Sequence, residues 1–430
     1  MMIHRLEDLI RFVREQSPYY RELYAALPAD ETRLEALPVV SQQEFWQANT
    51  IEGNRLLTGP LRDGVVYKSG GTTGNPKFSV YLRDEWETFC RSFGRALAGN
   101  GLRAGERIGN IFYVGELYAS FLFILKSLEL SPVPVVQFPI GGAASPDSMA
   151  RTCLDFGIET LAGVPTTTML LAEHIAAHRA EFGGIRIRKI LFGGESMYPD
   201  QRSRLAEIFP GVQILSAGCA SVDAGFIGYA DASCGPEEHR AFSTDSVVEI
   251  LDEDSGERIT EPGRPGQLVV TNLIRLLMPI IRYPVGDRAE WVEPREAGPD
   301  SKFRLLGRAE EGARVGAITV YYEDLKSILA PFHQRFGITN YQIRVTHEEM
   351  KDRLSLVVAV TDPAALPEEA AGELLLELLA QRPMLHDWVV AGNIHPPRIE
   401  WVAPAGLAVN PRTGKLRRVL DERGARAAGG

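Results

Sequence analysis

The sequence predicts an α/β protein. It has a large N-terminal domain on a mainly parallel, covered sheet with a small antiparallel subdomain, followed by a small α+β C-terminal domain. Three observations predict it: strand-like and helix-like segments alternate from Glu106 to Ile208, short β-rich runs joined by Gly/Pro turns follow Asp231, and a fresh strand, helix and hairpin pattern begins near Val315. With 430 residues the chain exceeds one typical core, so two or three domains are expected.

Leu6 to Leu27 reads as helix, and Ser41 followed by Glu44 fits a capping box opening another. The stretch Val65 to Leu82, VVYKSGGTTGNPKFSVYL, reads as strand, Gly/Thr-rich loop, strand. Glu85 to Ala98 reads as an amphipathic helix, and ERIGNIFYV and SPVPVVQF read as strands flanking a helix over Leu117 to Leu128. The alternation repeats through Thr152 to Gly163, Thr166 to Ala180, Ile187 to Phe192 and Asp200 to Ile208, which implies parallel strands with helical crossovers. Beyond Asp231, EPGRPGQLVVTNL, MPIIRYPVGD and KFRLLGR read as short antiparallel strands. AITVYYEDLKSIL then reads as strand and helix, YQIRVTHEEMKDRLSLVVAV as a hairpin, Glu368 to Gln381 as a Leu-rich helix and RIEWVA as a last strand. The expected division is an N-terminal domain over 1–306, a hinge over 307–312 and a mobile C-terminal domain over 313–430.

Composition narrows the class. Apolar content of 45% with 24% charged residues is that of a soluble globular protein, and a formal net charge of -10 argues against a nucleic-acid partner. Cys90, Cys153, Cys219 and Cys234 are scattered without CxxC spacing, which suits a reducing compartment. Arg5, Glu7 and Asp8 interrupt the N-terminus, so no secretory signal is visible. The apolar run Ser120 to Leu130 carries Lys126 and Glu129 and falls short of a membrane span. The expectation is a cytoplasmic protein with no membrane partner.

The loop of Ser69, Gly70, Gly71, Thr72, Thr73 and Gly74 with Lys77 offers backbone N–H groups, hydroxyls and an ammonium to a polyphosphate. It is not a Walker A loop, because Asn75 and Pro76 separate the last glycine from the lysine and a strand follows rather than a helix. Taken alone, SGG and TTG would punctuate any hairpin. An acidic protein that binds a triphosphate must concentrate cations locally, and Lys77, Arg308 and Lys415 are the candidates. His174 and His178 lie four apart on a predicted helix and could share a metal, but no third ligand accompanies them. Neither G-x-S-x-G nor HExxH occurs, so hydrolase readings have no motif.

The Gly/Thr loop, IRYPVGDRAEW (Ile281 to Trp291) and NPRTGKLRR (Asn410 to Arg418), in this order, resemble the adenylate-forming superfamily of acyl-CoA synthetases, adenylation domains and luciferases. SPYYRELY, TLAGVPTTTMLLAE and LFGGESM are most similar to its phenylacetate-CoA ligase branch, and the resemblance runs from about Ser17 to Arg418. It implies ATP-dependent activation of an aromatic or arylacetic acid as an acyl-adenylate, with Mg²⁺, and transfer to coenzyme A. Transfer to an amine or a carrier protein, or binding without turnover, are the alternatives, and a homodimer would not surprise.

By the same resemblance the loop wraps the β- and γ-phosphates and Lys77 offsets leaving-group charge. Gly193, Gly194 and Glu195 face adenine with backbone, and the Asp287 carboxylate accepts from both ribose hydroxyls. A plain helix-capped turn and a common loop aspartate are the competing readings of those two segments. Arg308 bridges ribose and phosphate, Glu310 is the hinge residue, and Lys415 binds the acid carboxylate and the α-phosphate unless it belongs to a solvated basic tail. Phe112, Tyr113, Tyr118, Gly218 and Phe226 fall where relatives line the acyl pocket, although such aromatic residues are more often core. Some relatives carry Cys and His near Cys219, Cys234 and His239, which leaves a zinc site open. One departure stands out: SAGCASVDAG puts Ala217, Ala220 and Ser221 where the family has an aromatic, Thr and Glu, so Asp223 is the candidate to take over the Mg²⁺ role.

Overall fold

The computed structural model describes residues 5–69, 77–115, 117–194, 197, 199–252, 255–308, 312–315, 318–322, 324–348, 351–390, 392, 394–409 and 414–422. Where the sequence predicts one helix over Leu6 to Leu27 there are two, α1 (Leu6–Gln16) and α2 (Pro18–Leu23). Pro18 has no N–H to continue the ladder; the Ser17 N–H closes α1 on the Val13 carbonyl, while its side chain accepts from the Tyr20 N–H and caps α2. In α3 (Gln42–Ala48) the Ser41 side chain likewise accepts from the Glu44 N–H. The predicted hairpin is present as β1 (Val65–Ser69) and β2 (Lys77–Tyr81), antiparallel from Val65 opposite Tyr81 to Ser69 opposite Lys77.

After α4 (Arg83–Gly99) the chain builds a five-stranded sheet from β3 (Arg107–Asn110), β4 (Val136–Pro139), β5 (Thr160–Gly163), β6 (Lys189–Phe192) and β7 (Gln213–Ser216). The order is β4-β3-β5-β6-β7 and every neighbouring pair is parallel. The crossovers carry α5 (Ser120–Glu129), α6 (Pro146–Asp155), α7 (Pro165–Ala177), α8 (Arg179–Phe182) and α9 (Pro199–Ile208). All of β5 and β6 is buried, as strands covered on both faces must be. Leu161 and Ile190 belong to one apolar cluster with Met149 and Leu171, and Ala162 and Leu191 belong to another with Phe93 and Phe123. Successive residues thus feed opposite layers, as strand geometry requires.

At the start of these strands lies a buried ion pair. The Lys189 ammonium donates to Glu106 at 3.0 Å and to the Gly101 carbonyl at 2.6 Å, and Glu106 also accepts from the Thr160 hydroxyl and from the Arg103 N–H at 2.8 Å. Burial pushes the Glu106 carboxyl up, but those hydrogen bonds and the Lys189 charge outweigh it and hold the group below its ordinary range.

A seven-stranded sheet follows, earlier than the predicted change at Asp231. Its strands are β8 (Cys219–Ser221), β9 (Gly225–Tyr229), β10 (Glu238–Ala241), β11 (Ser246–Leu251), β12 (Gly266–Asn272), β13 (Tyr283–Trp291) and β14 (Lys302–Arg308), in the order β11-β12-β13-β14-β10-β9-β8. Leu9, Val13, Tyr20 and Phe45 from the N-terminal helices join Ile250, Leu268, Val270, Tyr283 and Trp291 in one core.

The chain divides into two compact units, Met1–Tyr198 with Arg202–Leu306 and Arg412–Gly414, and Pro199–Gln201 with Gly307–Pro411 and Lys415–Gly430. The smaller unit holds a hairpin of β15 (Gly312–Val315) and β16 (Ile318–Tyr321), and a four-stranded sheet. In that sheet β17 (Ile338–Glu348) and β18 (Lys351–Val360) are antiparallel, while β19 (His395–Val402) joins β18 and β20 (Val419–Asp421) joins β17 in parallel. The α/β class with a small α+β C-terminal part is therefore as expected. Among the described residues no helix is long and apolar enough to cross a membrane.

The Glu106–Lys189 pair supplies a stability prediction. Lys189→Met strands the buried carboxylate and costs about 3–5 kcal/mol in chemical denaturation; a loss below about 1 kcal/mol would show that the pair carries little.

Candidate active site

Three strand ends meet at one point. The ladder continues past β5 and β6 through Ile111 N–H to Ala162 (2.8 Å), Gly193 N–H to Gly163 (3.3 Å) and Ala217 N–H to Phe192 (2.8 Å), so the residues after β3, β6 and β7 stay in step. A Cβ on Gly193 would lie 3.7 Å from Phe112 Cζ and 3.9 Å from the Ala217 Cβ. The predicted Gly193 thus sits between a ring and a methyl group, outside the carboxyl ends of a parallel sheet, where such folds bind ligands. Tyr113, half-buried, follows on the same loop, and a Cβ on Gly142 would stand only 2.7 Å from its ring.

The next turn is fixed from beneath. Gly218 has φ +138°, and a Cβ there would lie 3.0 Å from Phe93 Cε2 and 3.2 Å from the Gly228 carbonyl oxygen. Phe226 is fully buried against Phe93, at 5.0 Å, and Phe242, at 4.2 Å between ring centroids, so it acts on the Gly218 turn through Phe93. The Ser216 hydroxyl accepts from the Gly218 N–H at 3.2 Å and lies 2.9 Å from His239 Nε2, while Asn100 donates to the Ser216 carbonyl at 2.9 Å. Burial pushes the His239 imidazole down to about 4, so it is neutral at neutral pH.

Asp223 lies half-buried in the turn between β8 and β9, where its carboxylate accepts from the Ser79 hydroxyl at 3.2 Å. Ser221 folds that turn, its hydroxyl accepting from the Ala224 N–H at 2.9 Å. Ala220 is exposed and Ala217 buried. Asp287 lies in a β-bulge: Gln267 faces Arg288 and Val269 faces Pro284, so Val285, Gly286 and Asp287 together oppose Leu268, with Gly286 at φ +86°. Burial, and then the Asp287 charge, pushes the Cys219 thiol well up.

Gly70, Gly71, Thr72, Thr73, Gly74, Glu195 and Glu310 lie outside the described residues, as do the side chains of Ser69, Lys77 and Arg308. Gly194 is described, with φ +81°, and Lys415 is half-buried in the smaller unit. Among the described residues no three His, Cys, Asp or Glu side chains could hold a metal, which removes the support for zinc at Cys219, Cys234 and His239. His174 faces Asp147, at 3.7 Å, and the His178 ring, at 4.3 Å. A Mg²⁺ bound mainly to a triphosphate needs only one or two carboxylates, and Asp223 suits that requirement.

No family model matches the chain. Over 434 aligned residues it is 24% identical to the phenylacetate-coenzyme A ligase of Thermus thermophilus, covering 97% of this chain and 95% of that enzyme. It is 21% identical to the phenylacetate-coenzyme A ligase of Aromatoleum evansii, covering 98% and 94%. A 2-hydroxyisobutyryl-CoA ligase in the postadenylation state superposes with a TM-score of 0.77 at 21% identity, over 98% of this chain and 89% of that one. The chain is a relative of the phenylacetate-coenzyme A ligases, with the adenylate-forming fold. An acyl acid amido synthetase in complex with 2,4-DB shares that fold, with a TM-score of 0.69 at 14% identity over 96% and 90% of the two chains.

Sequence reasoning missed Ser79 and Arg275 and offered His239 only as a possible zinc ligand; all three hold turns of the chain, His239 through the Ser216 hydroxyl. A lone arginine in the apolar run LIRLLMPII is the signal that would have found Arg275.

Two predictions follow from these turns. Gly218→Ala costs about 1–3 kcal/mol in chemical denaturation through its φ, whereas Gly193→Ala, with only ordinary contacts, stays within about 0.5 kcal/mol. The unfolded His239 binds a proton near its ordinary 6.5 that the folded one refuses until about 4. Stability therefore falls as pH drops from 6.5, with a limiting slope of about 1.4 kcal/mol per unit, and His239→Gln flattens that slope between pH 6.5 and 5.

Proposed function

We propose that the chain activates a carboxylic acid with ATP, forming an acyl-adenylate and pyrophosphate, and then transfers the acyl group to coenzyme A with release of AMP. The observation that carries this reading is the meeting of Phe112, Gly193 and Ala217 at three strand ends, outside the carboxyl edge of the parallel sheet. An aromatic or arylacetic acid is favoured by the phenylacetate ligases among the relatives.

In this reading Ser69, Gly70, Gly71, Thr72, Thr73 and Gly74 cradle the triphosphate and Lys77 offsets the charge leaving with pyrophosphate. Mg²⁺, when bound, neutralises phosphate charge, and Asp223 is its protein ligand. Gly193, Gly194 and Glu195 receive adenine, Asp287 accepts from the ribose diol, and Tyr113, Gly218 and, through Phe93, Phe226 shape the acid pocket. Lys415 orients the acid carboxylate on the α-phosphate, Arg308 contacts the nucleotide, and residues 307–312 with Glu310 form the hinge on which a C-terminal domain over 313–430 moves. We place the reaction in the cytoplasm.

An amine or carrier protein in place of coenzyme A would keep the same first half-reaction, and the fold shared with an amido synthetase favours the amine. Ala217, Ala220 and Ser221 favour a second reading, nucleotide binding without turnover.

With ATP, Mg²⁺, coenzyme A and a panel of acids, mass spectrometry detects AMP and one class of acyl thioester, and Lys415→Ala lowers AMP formation at least about 100-fold. ATP binding with no AMP from any acid would favour the second reading, and AMP without thioester would favour another acceptor.

A further inference from the structure

Three successive residues of β2, the strand that leaves the Gly/Thr loop, are tied to the turn that bears Asp223. The Ser79 hydroxyl donates to the Asp223 carboxylate at 3.2 Å, and the Tyr81 hydroxyl donates to the Val222 carbonyl at 2.8 Å. Between them, Arg275 joins both segments through one guanidinium: Nη2 donates to the Val80 carbonyl at 2.8 Å and Nη1 to the Asp223 carbonyl, while the group lies 4.1 Å from the centroid of the Tyr81 ring. Ser79, Tyr81 and Arg275 are each fully buried.

No carboxylate among the described residues forms an ion pair with Arg275. A buried cation is costly to desolvate, and here two carbonyls and a ring face are what offset that cost. The planar fork can reach two carbonyls in different segments at once, which a lysine ammonium cannot match in geometry. The arrangement is that of a brace between two parts of one site rather than of a generic core contact.

We propose that Arg275, Tyr81 and Ser79 are positioning residues for the Mg²⁺-triphosphate: they lock the Asp223 carboxylate to β2, so that the metal ligand is held in one pose. The proposal rests on the reading above that Asp223 holds Mg²⁺. It accounts for the departure at Ser221, because a carboxylate two residues later, on a turn, reaches the site in a fixed pose only if the turn is tied down.

The test uses the full-length chain and measures ATP binding calorimetrically against rising Mg²⁺, together with the melting temperature. Ser79→Ala, which removes a hydrogen bond to a charged group, raises the half-saturating Mg²⁺ about tenfold, and Tyr81→Phe about fivefold. ATP affinity without metal is unchanged in both. Arg275→Lys shifts the Mg²⁺ requirement in the same direction, and if it fails to fold the two milder variants carry the test. Should Ser79→Ala and Tyr81→Phe keep the parent Mg²⁺ requirement, or lower only the melting temperature, while Asp223→Asn raises that requirement, the brace is wrong and the metal assignment stands. An Asp223→Asn chain with unchanged Mg²⁺ dependence removes the metal assignment and the brace with it.

Discussion

The site depends on the common termination of five parallel strands. Parallel ladders keep their register along the whole strand, and because β5 and β6 are buried on both faces, a slip of one residue would exchange the side chains of two packed layers. Gly163 opposite Phe192 and Phe192 opposite Ser216 therefore fix where Gly193 and Ala217 emerge. The Glu106–Lys189 pair anchors the same strands at their other end. The place where Phe112, Gly193 and Ala217 meet follows from the sheet, not from any one loop.

What differs along that edge is how each turn is held. Gly218 is held by packing on Phe93 and by the Ser216 hydroxyl, Asp287 by a bulge, and Asp223 by hydrogen bonds from a strand 144 residues away in sequence. Phe112, a core residue, places its ring beside Gly193, and Ser221 folds the turn that bears Asp223.

Much of this was legible in the sequence, for local reasons. Short, mainly apolar runs such as LAG after Thr160 and ILF after Lys189 alternate with helical periodicity, a pattern that suits a covered parallel sheet. Gly286 before Asp287 announces the bulge as a turn signal, and the Gly/Thr hairpin was evident from its flanking strands. The break at Ser17 was readable too, because Pro18 cannot continue a helix, but the apolar periodicity across it masked the signal. The partners of the supports were not legible, although the lone arginine in LIRLLMPII marks Arg275 itself. Arg275 reaches carbonyls 52 and 195 residues away, and His239 meets a serine 23 residues before it, distances over which periodicity carries no information. Aromatic residues serve as pocket wall or as core, and only the packing shows that Phe226 stands behind Phe93.

The central claim is that these strand ends hold a carboxylic acid and ATP in one cleft and join them. Acid-dependent exchange of labelled pyrophosphate into ATP, measured without coenzyme A or any other acceptor, isolates that step. The account predicts exchange with an aromatic or arylacetic acid and none when the acid is omitted. Tight ATP binding with no exchange across the whole range of aromatic, arylacetic and aliphatic acids would contradict it.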